Sequence, residues 1–305
     1  MHDVLIIGGG PAGLSAAVYA ARRKLKTLVF EKGLSGGQMQ YTTLIENYPG
    51  VLETTGADLA LDMERQAKKA GAKVRGERVS AVNVGGGVKT VSCGDEVFEG
   101  KTIIFATGGH HRRLQVPGEQ EYTGKGVSWC ATCDAPFFKD KKVAVIGGGN
   151  TAAEEALYLS EIADEVFVVH RRDTLRCEEE RVERMKKNGV TFILNSRVME
   201  FKGDLSLKSV VLATPDGEKT VDVDGCFISI GMNPESGLAR QAGVKLDDRG
   251  FIEVDCNQET NREGVLAAGD VTGGVMQITV AAAEGCVAAL KAYEIIKKPY
   301  WCSLE

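Results

Sequence analysis

The sequence predicts an α/β protein built from two Rossmann-like nucleotide-binding domains, the first discontinuous and the second inserted into it. Three observations predict this. A strand, glycine turn, helix and strand run from residue 3 to 31; the same unit recurs from 142 to 172; and two buried strand-like segments, near 102 and 264, return to the first unit.

In the first unit, Val4 to Ile7 forms an apolar run, an Ala-rich helix follows, and Thr27 to Phe30 forms a second strand ending at Glu31. The turn between strand and helix carries the chemistry. Gly8 permits a tight bend, Gly10 lets backbone approach a pyrophosphate without a Cβ in the way, and Gly13 lets helix and strand pack closely. Pro11 and Ala12 open the helix, whose unpaired N–H groups favour an anion. The second unit repeats the pattern with Gly147, Gly149 and the small Ala152, and Asn150 and Thr151 open its helix. A lone glycine turn is weak evidence, but here the strand, helix and second strand fall into place twice.

The two units differ where a ribose would lie. Glu31 follows Gly8 by 23 residues, and a carboxylate there accepts hydrogen bonds from ribose hydroxyls. The counterpart of Glu31 is His170, followed by Arg171, Arg172 and Arg176 in "HRRDTLR". Guanidinium groups bind phosphate bidentately, whereas an acid repels it. The first site is therefore expected to take a nucleotide with a free 2′-hydroxyl, and the second NADPH.

The segment "TIIFATGG" ends in Ala106, Thr107 and Gly108, and "GVLAAGD" ends in Gly269 and Asp270. Strand ends of an open parallel sheet line a ligand crevice, and an acid at Asp270 suits the polyol arm and diphosphate of FAD. The expected boundaries are a first FAD segment at 1–111, an inserted NADPH domain at 112–242 and a second FAD segment at 243–305.

Composition is consistent with this layout. The chain has 305 residues, 43% of them hydrophobic, which suffices for two domains with cores of their own. A formal charge of −5 disfavours whole-surface attraction to nucleic acid or anionic membrane. No apolar stretch is long enough to span a bilayer. The start "MHDVLIIGGG" lacks the basic flank and cleavage site of a signal peptide, so a cytoplasmic setting is expected.

Eight cysteines are scattered apart from one pair, Cys130 and Cys133, with Asp134 directly after it. Zinc would need two further ligands, and no second C-x-x-C exists, so no metal site is expected. A structural disulfide of this spacing would close a tiny loop and stabilise little. A redox pair is the reading the spacing favours. A helix beginning at the pair would favour thiolate, and Asp134 is placed to move a proton.

The segments "GGGPAG", "SGGQ", "IENYPG", "CATCD", "GGGNTAAEEALYLS", "HRRDTLR", "ISIGMNPES" and "AAGDV", in this order, resemble the low-molecular-weight thioredoxin reductases of bacteria and archaea over essentially the whole chain. The resemblance implies a homodimer containing FAD, in which NADPH supplies electrons and the Cys130–Cys133 disulfide passes them to thioredoxin or a thioredoxin- or glutaredoxin-like protein. It implies that Cys133 meets the flavin, that Cys130 attacks the partner disulfide and that Asp134 serves as acid and base. It also places Asn47 near the flavin, with Gly37, Gln38, Gln277 and Ile278 among the cofactor-binding residues. The family rotates its NADPH domain between two arrangements, which puts hinges near 110–116 and 240–246. Two residues depart from the common pattern: Ala135 stands where many members have Gly, and Met276 where many have Arg. Relatives that draw electrons from ferredoxin or a deazaflavin lack the basic run kept here. A non-catalytic redox sensor is the alternative of a different class, distinguished by its failure to turn over.

Overall fold

Val4–Ile7 is apolar at every position, as a strand covered on both faces must be. Val4 and Ile6 pack with Ala16, Ala17 and Ala20 of the helix Pro11–Arg22. Leu5 and Ile7 point the other way, to Phe30, Val91 and Val265. The computed structural model describes residues 1–298, which leaves Cys302 outside the described residues.

The chain divides into two units, one formed by residues 1–110 together with those from 233 on, the other by His111–Met232. In the first, parallel strands run in the order Lys73–Arg75, Thr27–Phe30, His2–Ile7 and Glu96–Phe105. On its edge away from His2–Ile7, the long strand Glu96–Phe105 serves two further partners. Its first half pairs antiparallel with Lys89–Cys93, and its second half pairs parallel with Val265–Ala267 from far along the chain. The helix Ile278–Lys297 then packs on Pro11–Arg22 through small residues.

The tightest point of that packing is Gly285, where an added Cβ would lie 2.0 Å from the Ala12 carbonyl oxygen. Because the obstacle is backbone, it cannot swing aside. Gly285→Ala should therefore cost ~1–3 kcal/mol by overpacking, read as a lower thermal midpoint, while an alanine at Gly274, where a Cβ meets nothing within 4 Å, is a comparison free of any clash. Gly274 has a positive φ of 74°, so only its backbone strain should register.

The second unit holds a five-stranded parallel sheet in the order Thr191–Ile193, Glu165–Val169, Lys142–Gly147, Gly225–Ser229 and Val127–Ser128. Val143 and Val145 face one core and Ala144 and Ile146 the other, the same two-sided burial as in the first unit. An antiparallel meander, Arg197–Gly203, Leu207–Thr214 and Gly217–Asp222, covers one face. No described helix is long and apolar enough to cross a membrane.

The first crossing between units falls at 110/111, one residue from the expected boundary. The second falls at 232/233, ten residues before the expected 242/243. The reason is burial. The helix Gly237–Gln241 and the turn after it place Ala239 and Val244 in the first unit's core against Val82 and Ile252. Residues 240–246, expected as a hinge, thus belong to a packed part of the first unit.

Candidate functional site

In the first unit the glycine turn is closed by its own backbone. Gly8 has φ +109°, and a Cβ there would lie 2.2 Å from the Ala106 oxygen. A Cβ at Gly13 would lie 1.9 Å from the Gly8 oxygen. These two glycines let the turn nest against the end of the strand Glu96–Phe105, bringing Ala106, Thr107 and Gly108 beside it. Gly10, by contrast, has open space where a Cβ would be, and Gly37 lies next to it. The helix that follows begins with Pro11 and has neither a capping side chain nor an acidic residue in its first turn. Its leading N–H groups are therefore available to an anion. The helix Gly56–Ala70 shows the contrast, since the Thr55 side chain accepts from the Asp58 amide there.

Glu31 anchors the turn, its carboxylate accepting from the Gly9 amide at 2.7 Å and the Gly33 amide at 3.1 Å. Gln38 donates to the Gly109 carbonyl at 3.0 Å, tying the segment after Gly37 to the strand end. Gly269, at φ +81°, lies against Ala12, so Asp270 arrives beside the start of the first helix. Gln277 stands at the N-cap position of the helix that begins at Ile278 without a side-chain capping bond, and Asn47 is exposed on the loop after Ile45. The cradle left open at Gly10 and Gly37, the uncapped helix and the two carboxyls beside it fit a dinucleotide carrying a pyrophosphate.

Asp270 has a neighbour that motif reading does not supply. Glu284 accepts from the Gly269 amide at 2.7 Å. Burial, with the Glu284 charge adding to it, raises the Asp270 carboxyl to about 6 from an ordinary 3.8. Between about pH 4 and 6 the folded chain therefore binds more protons here than the unfolded one, so stability falls as pH rises through that window. Asp270→Asn should flatten this dependence in thermal unfolding of the flavin-free chain; an unchanged slope would show that Asp270 does not titrate there.

The second turn is built to the same plan with different contacts. A Cβ at Gly147 would lie 2.4 Å from the Ser229 oxygen, so this glycine serves close strand packing. Gly149 has open space, and the helix Asn150–Leu159 again lacks a capping side chain. Thr151 is exposed in its first turn, and Asn150 accepts from the Glu178 amide at 3.2 Å. His170 occupies the place that Glu31 holds in the first unit. Its ring lies against Gly148 as Glu31 lies against Gly9. It is 5% exposed and its Nε2 is without a hydrogen-bond partner. Burial, then Arg176, Arg172 and Arg171, hold its pKa below the usual histidine range, so it is a neutral ring among cations. The three arginines are exposed, and the Arg176 amide donates to the Gly148 carbonyl at 2.6 Å, fastening the basic loop to the glycine turn. An open Gly149, three exposed guanidinium groups and an unpartnered ring nitrogen fit a phosphorylated nucleotide.

Cys130 and Cys133 form a disulfide with Cα atoms 5.3 Å apart. The edge strand Val127–Ser128 delivers Cys130, and the Ser128 hydroxyl accepts the Cys130 amide at 3.0 Å. A single helical turn, Ala131–Asp134, follows with Cys130 as its N-cap. The Cys130 sulfur accepts the Cys133 amide at 3.2 Å, the contact that would stabilise a thiolate once the bond is opened. Burial raises the Asp134 carboxyl above its ordinary value, although the Ser128 hydroxyl works against it. Ala135 is fully buried in the core that supports this turn, where its methyl packs with Ala131 and Phe138. Trp129 stacks on His111 and packs on the sheet.

Sequence reasoning missed Glu155. One of its oxygens accepts from the Ser229 hydroxyl and the other from the Ala131 amide at 3.5 Å. The signal was present in the helix period: Ala152, Ala156 and Leu159 are buried and lie three and four residues apart, and residue 155 falls on their face.

Residues 2–285 match the family described as Pyridine nucleotide-disulphide oxidoreductase. A thioredoxin reductase of Mycolicibacterium smegmatis is 45% identical over 298 residues, covering 96% of each chain. One from Peptoclostridium acidaminophilum is 42% identical over 308 residues, covering 97% of this chain and 98% of that protein. The crystal structure of thioredoxin reductase from Streptococcus pyogenes MGAS5005 superposes with a TM-score of 0.93 at 39% identity, covering 98% of this chain and 99% of the other.

Proposed function

The chain belongs to the pyridine nucleotide-disulphide oxidoreductases, among the thioredoxin reductases that use FAD and NADPH, and on that footing we propose that it carries electrons from NADPH to the disulfide of thioredoxin or a thioredoxin-like protein. The observation that carries this reading is the Cys130–Cys133 disulfide, held in the same unit as a glycine turn with three exposed arginines fastened to it. FAD, when bound, supplies the two-electron relay between nicotinamide and disulfide.

In this reading the first unit holds FAD. The open backbone at Gly10, Gly37 and Gly108 and the leading amides after Pro11 take the pyrophosphate, and Glu31 and Asp270 take hydroxyl groups. Asn47, Gln38, Gln277 and Ile278 complete that site. The second unit holds NADPH, with Gly149, Asn150 and Thr151 at its pyrophosphate and Arg171, Arg172 and Arg176 at its 2′-phosphate. The neutral His170 shapes the turn through Gly148 and leaves Nε2 for a nucleotide oxygen.

Each turnover opens the Cys130–Cys133 bond with two electrons and two protons, giving two thiols. The Cys130 thiolate, stabilised by the Cys133 amide, attacks one sulfur of the partner disulfide and displaces the other as thiolate. Cys133 then attacks the Cys130 sulfur, releasing the partner as a dithiol and restoring the starting disulfide. Asp134, whose carboxyl burial raises above its ordinary value, delivers a proton to a leaving sulfur and recovers one from the attacking thiol. For net flow outward the pair must lie near or below the thioredoxin potential of about −270 mV. The same reading makes the working form a homodimer in a reducing, cytoplasmic setting.

Anaerobic titration with NADPH and then NADH, following flavin absorbance, tests the donor. Flavin bleaching with an endpoint of two equivalents per chain, one for FAD and one for the disulfide, supports the proposal. Reduction by dithionite but not NADPH would overturn it and point to ferredoxin or a deazaflavin. Steady oxidation of NADPH that depends on added thioredoxin tests the acceptor, and reduction limited to a single turnover would favour a sensor.

A further inference from the structure

We infer that Glu155 is a positioning residue for the redox pair, fixing the peptide that follows Cys130 and coupling its own charge to that of the Cys130 sulfur. The inference rests on the redox reading of the pair given above and extends it to a residue outside every motif. Three rigid pieces of the second unit meet at this carboxyl. Glu155 projects from the helix Asn150–Leu159, Ser229 ends a central strand paired with Gly147, and Ala131 opens the turn that contains Cys133. Ala131 is 1% exposed, so its amide has little recourse to water.

The amides of the redox turn are thus divided between two residues, Glu155 and Cys130. The Ala131 amide goes to Glu155, while the Cys133 amide is shared between the Cys130 sulfur and the Cys130 carbonyl, which also accepts from the Asp134 amide. In the disulfide state the sulfur is neutral and the two acceptors do not compete. Once the bond is opened, a Cys130 thiolate and a Glu155 carboxylate would be two anions served by one turn, and each opposes ionisation of the other.

The surroundings place this competition near neutrality. Burial raises the Glu155 carboxyl to about 7, with the Ala131 amide lowering it and Glu154 raising it further. Glu154 is itself committed to Arg181, which also binds Glu178. The titratable groups of the redox turn itself are the two cysteines and Asp134, whose carboxyl is raised by burial as well. Below about pH 7 Glu155 is neutral and the thiolate forms without opposition; above it, the carboxylate pushes the Cys130 thiol to a higher pKa.

The test uses the FAD-loaded protein, chemically reduced, freed of reductant and kept under argon. Iodoacetamide alkylation of Cys130 is followed by peptide mass spectrometry from pH 5.5 to 9. Glu155→Gln removes the charge while keeping an acceptor for Ala131 and a polar group for Ser229. Its rate should match wild type at pH 5.5 and exceed it by about threefold or more at pH 8, the equivalent of half a pKa unit. Superimposable profiles across the range would overturn the inference. Ser229→Ala provides an independent arm if the first variant folds poorly. Losing the hydroxyl disfavours the carboxylate, so the pH at which wild-type alkylation lags should move upward; an unmoved profile would again overturn it. Because reduction here is chemical, neither arm depends on NADPH or thioredoxin, and failure of the proposed donor or acceptor would leave these readings intact.

Discussion

Cys133→Ser is expected to lose thioredoxin reduction by at least about a thousandfold while its flavin is still reduced by NADPH, the endpoint falling from two equivalents to one. Three of the five other described thiols are raised by burial, and the remaining two, the exposed Cys256 and the half-buried Cys286, belong to the first unit. Cys226 is fully buried and burial drives its pKa far upward, and Cys93 is buried with its thiol raised by the same cause. Cys177 is raised by burial too and packs in the core next to Leu175 and Val182. Cys130→Ser should lose turnover as completely but for a different reason, since the attacking sulfur itself is gone. The two variants are told apart by trapping. With Cys133→Ser, the remaining Cys130 should form a stable mixed disulfide with a partner, because nothing is left to resolve it. With Cys130→Ser, no mixed disulfide should accumulate. Retained turnover in either variant would remove the dithiol from the electron path.

Replacing Arg171, Arg172 and Arg176 together with alanine should raise the NADPH KM by about a hundredfold or more and leave the NADH KM within a few-fold. Hydrogen bonds to a charged phosphate contribute roughly 1.5–3 kcal/mol each, so loss of even two exceeds a hundredfold in binding. Arg181 makes a useful comparison because it is spent on Glu154 and Glu178. Arg181→Ala should disturb packing between the two helices without changing the preference between nucleotides. Equal losses for NADPH and NADH in the triple variant would mean that the basic loop supports the fold of the site and does not read the 2′-phosphate. The kinetic split between the two donors distinguishes these outcomes.

Much of the fold was legible because it is written in local periods. Two apolar runs, each followed by glycines, small residues and a second apolar run, specify strand, turn, helix and strand without reference to anything distant. The equivalence of Glu31 and His170 was legible for the same reason, and both side chains do lie against the middle glycine of their turns. The helical turn after Cys130 entered the sequence reading only as a condition, because its four residues are too few to show a period. What was not legible depends on contacts between separated segments. Glu154 and Glu155 are adjacent and chemically identical, yet one faces Arg181 and the other faces Ala131 and Ser229. Glu284 stands 14 residues from Asp270, and only the packing of the last helix on the first brings its carboxyl to the Gly269 amide. The second crossing lies ten residues before the expected 242/243 because Ala239 and Val244 are buried in the first unit's core, a contact between segments far apart in the chain.

The route of the chain through the first unit also has a consequence for its synthesis. The strand His2–Ile7 emerges first from the ribosome, but the strand Val265–Ala267 and the helix that covers Pro11–Arg22 emerge last. The second unit is continuous, so all of its strands are available before the first unit can close. At ordinary elongation rates of about 5–20 residues per second the 73 residues after Met232 take roughly 4–15 s. For that interval the alanine face of the first helix has no native cover, and the growing chain depends on the late arrival of its own end to hide it.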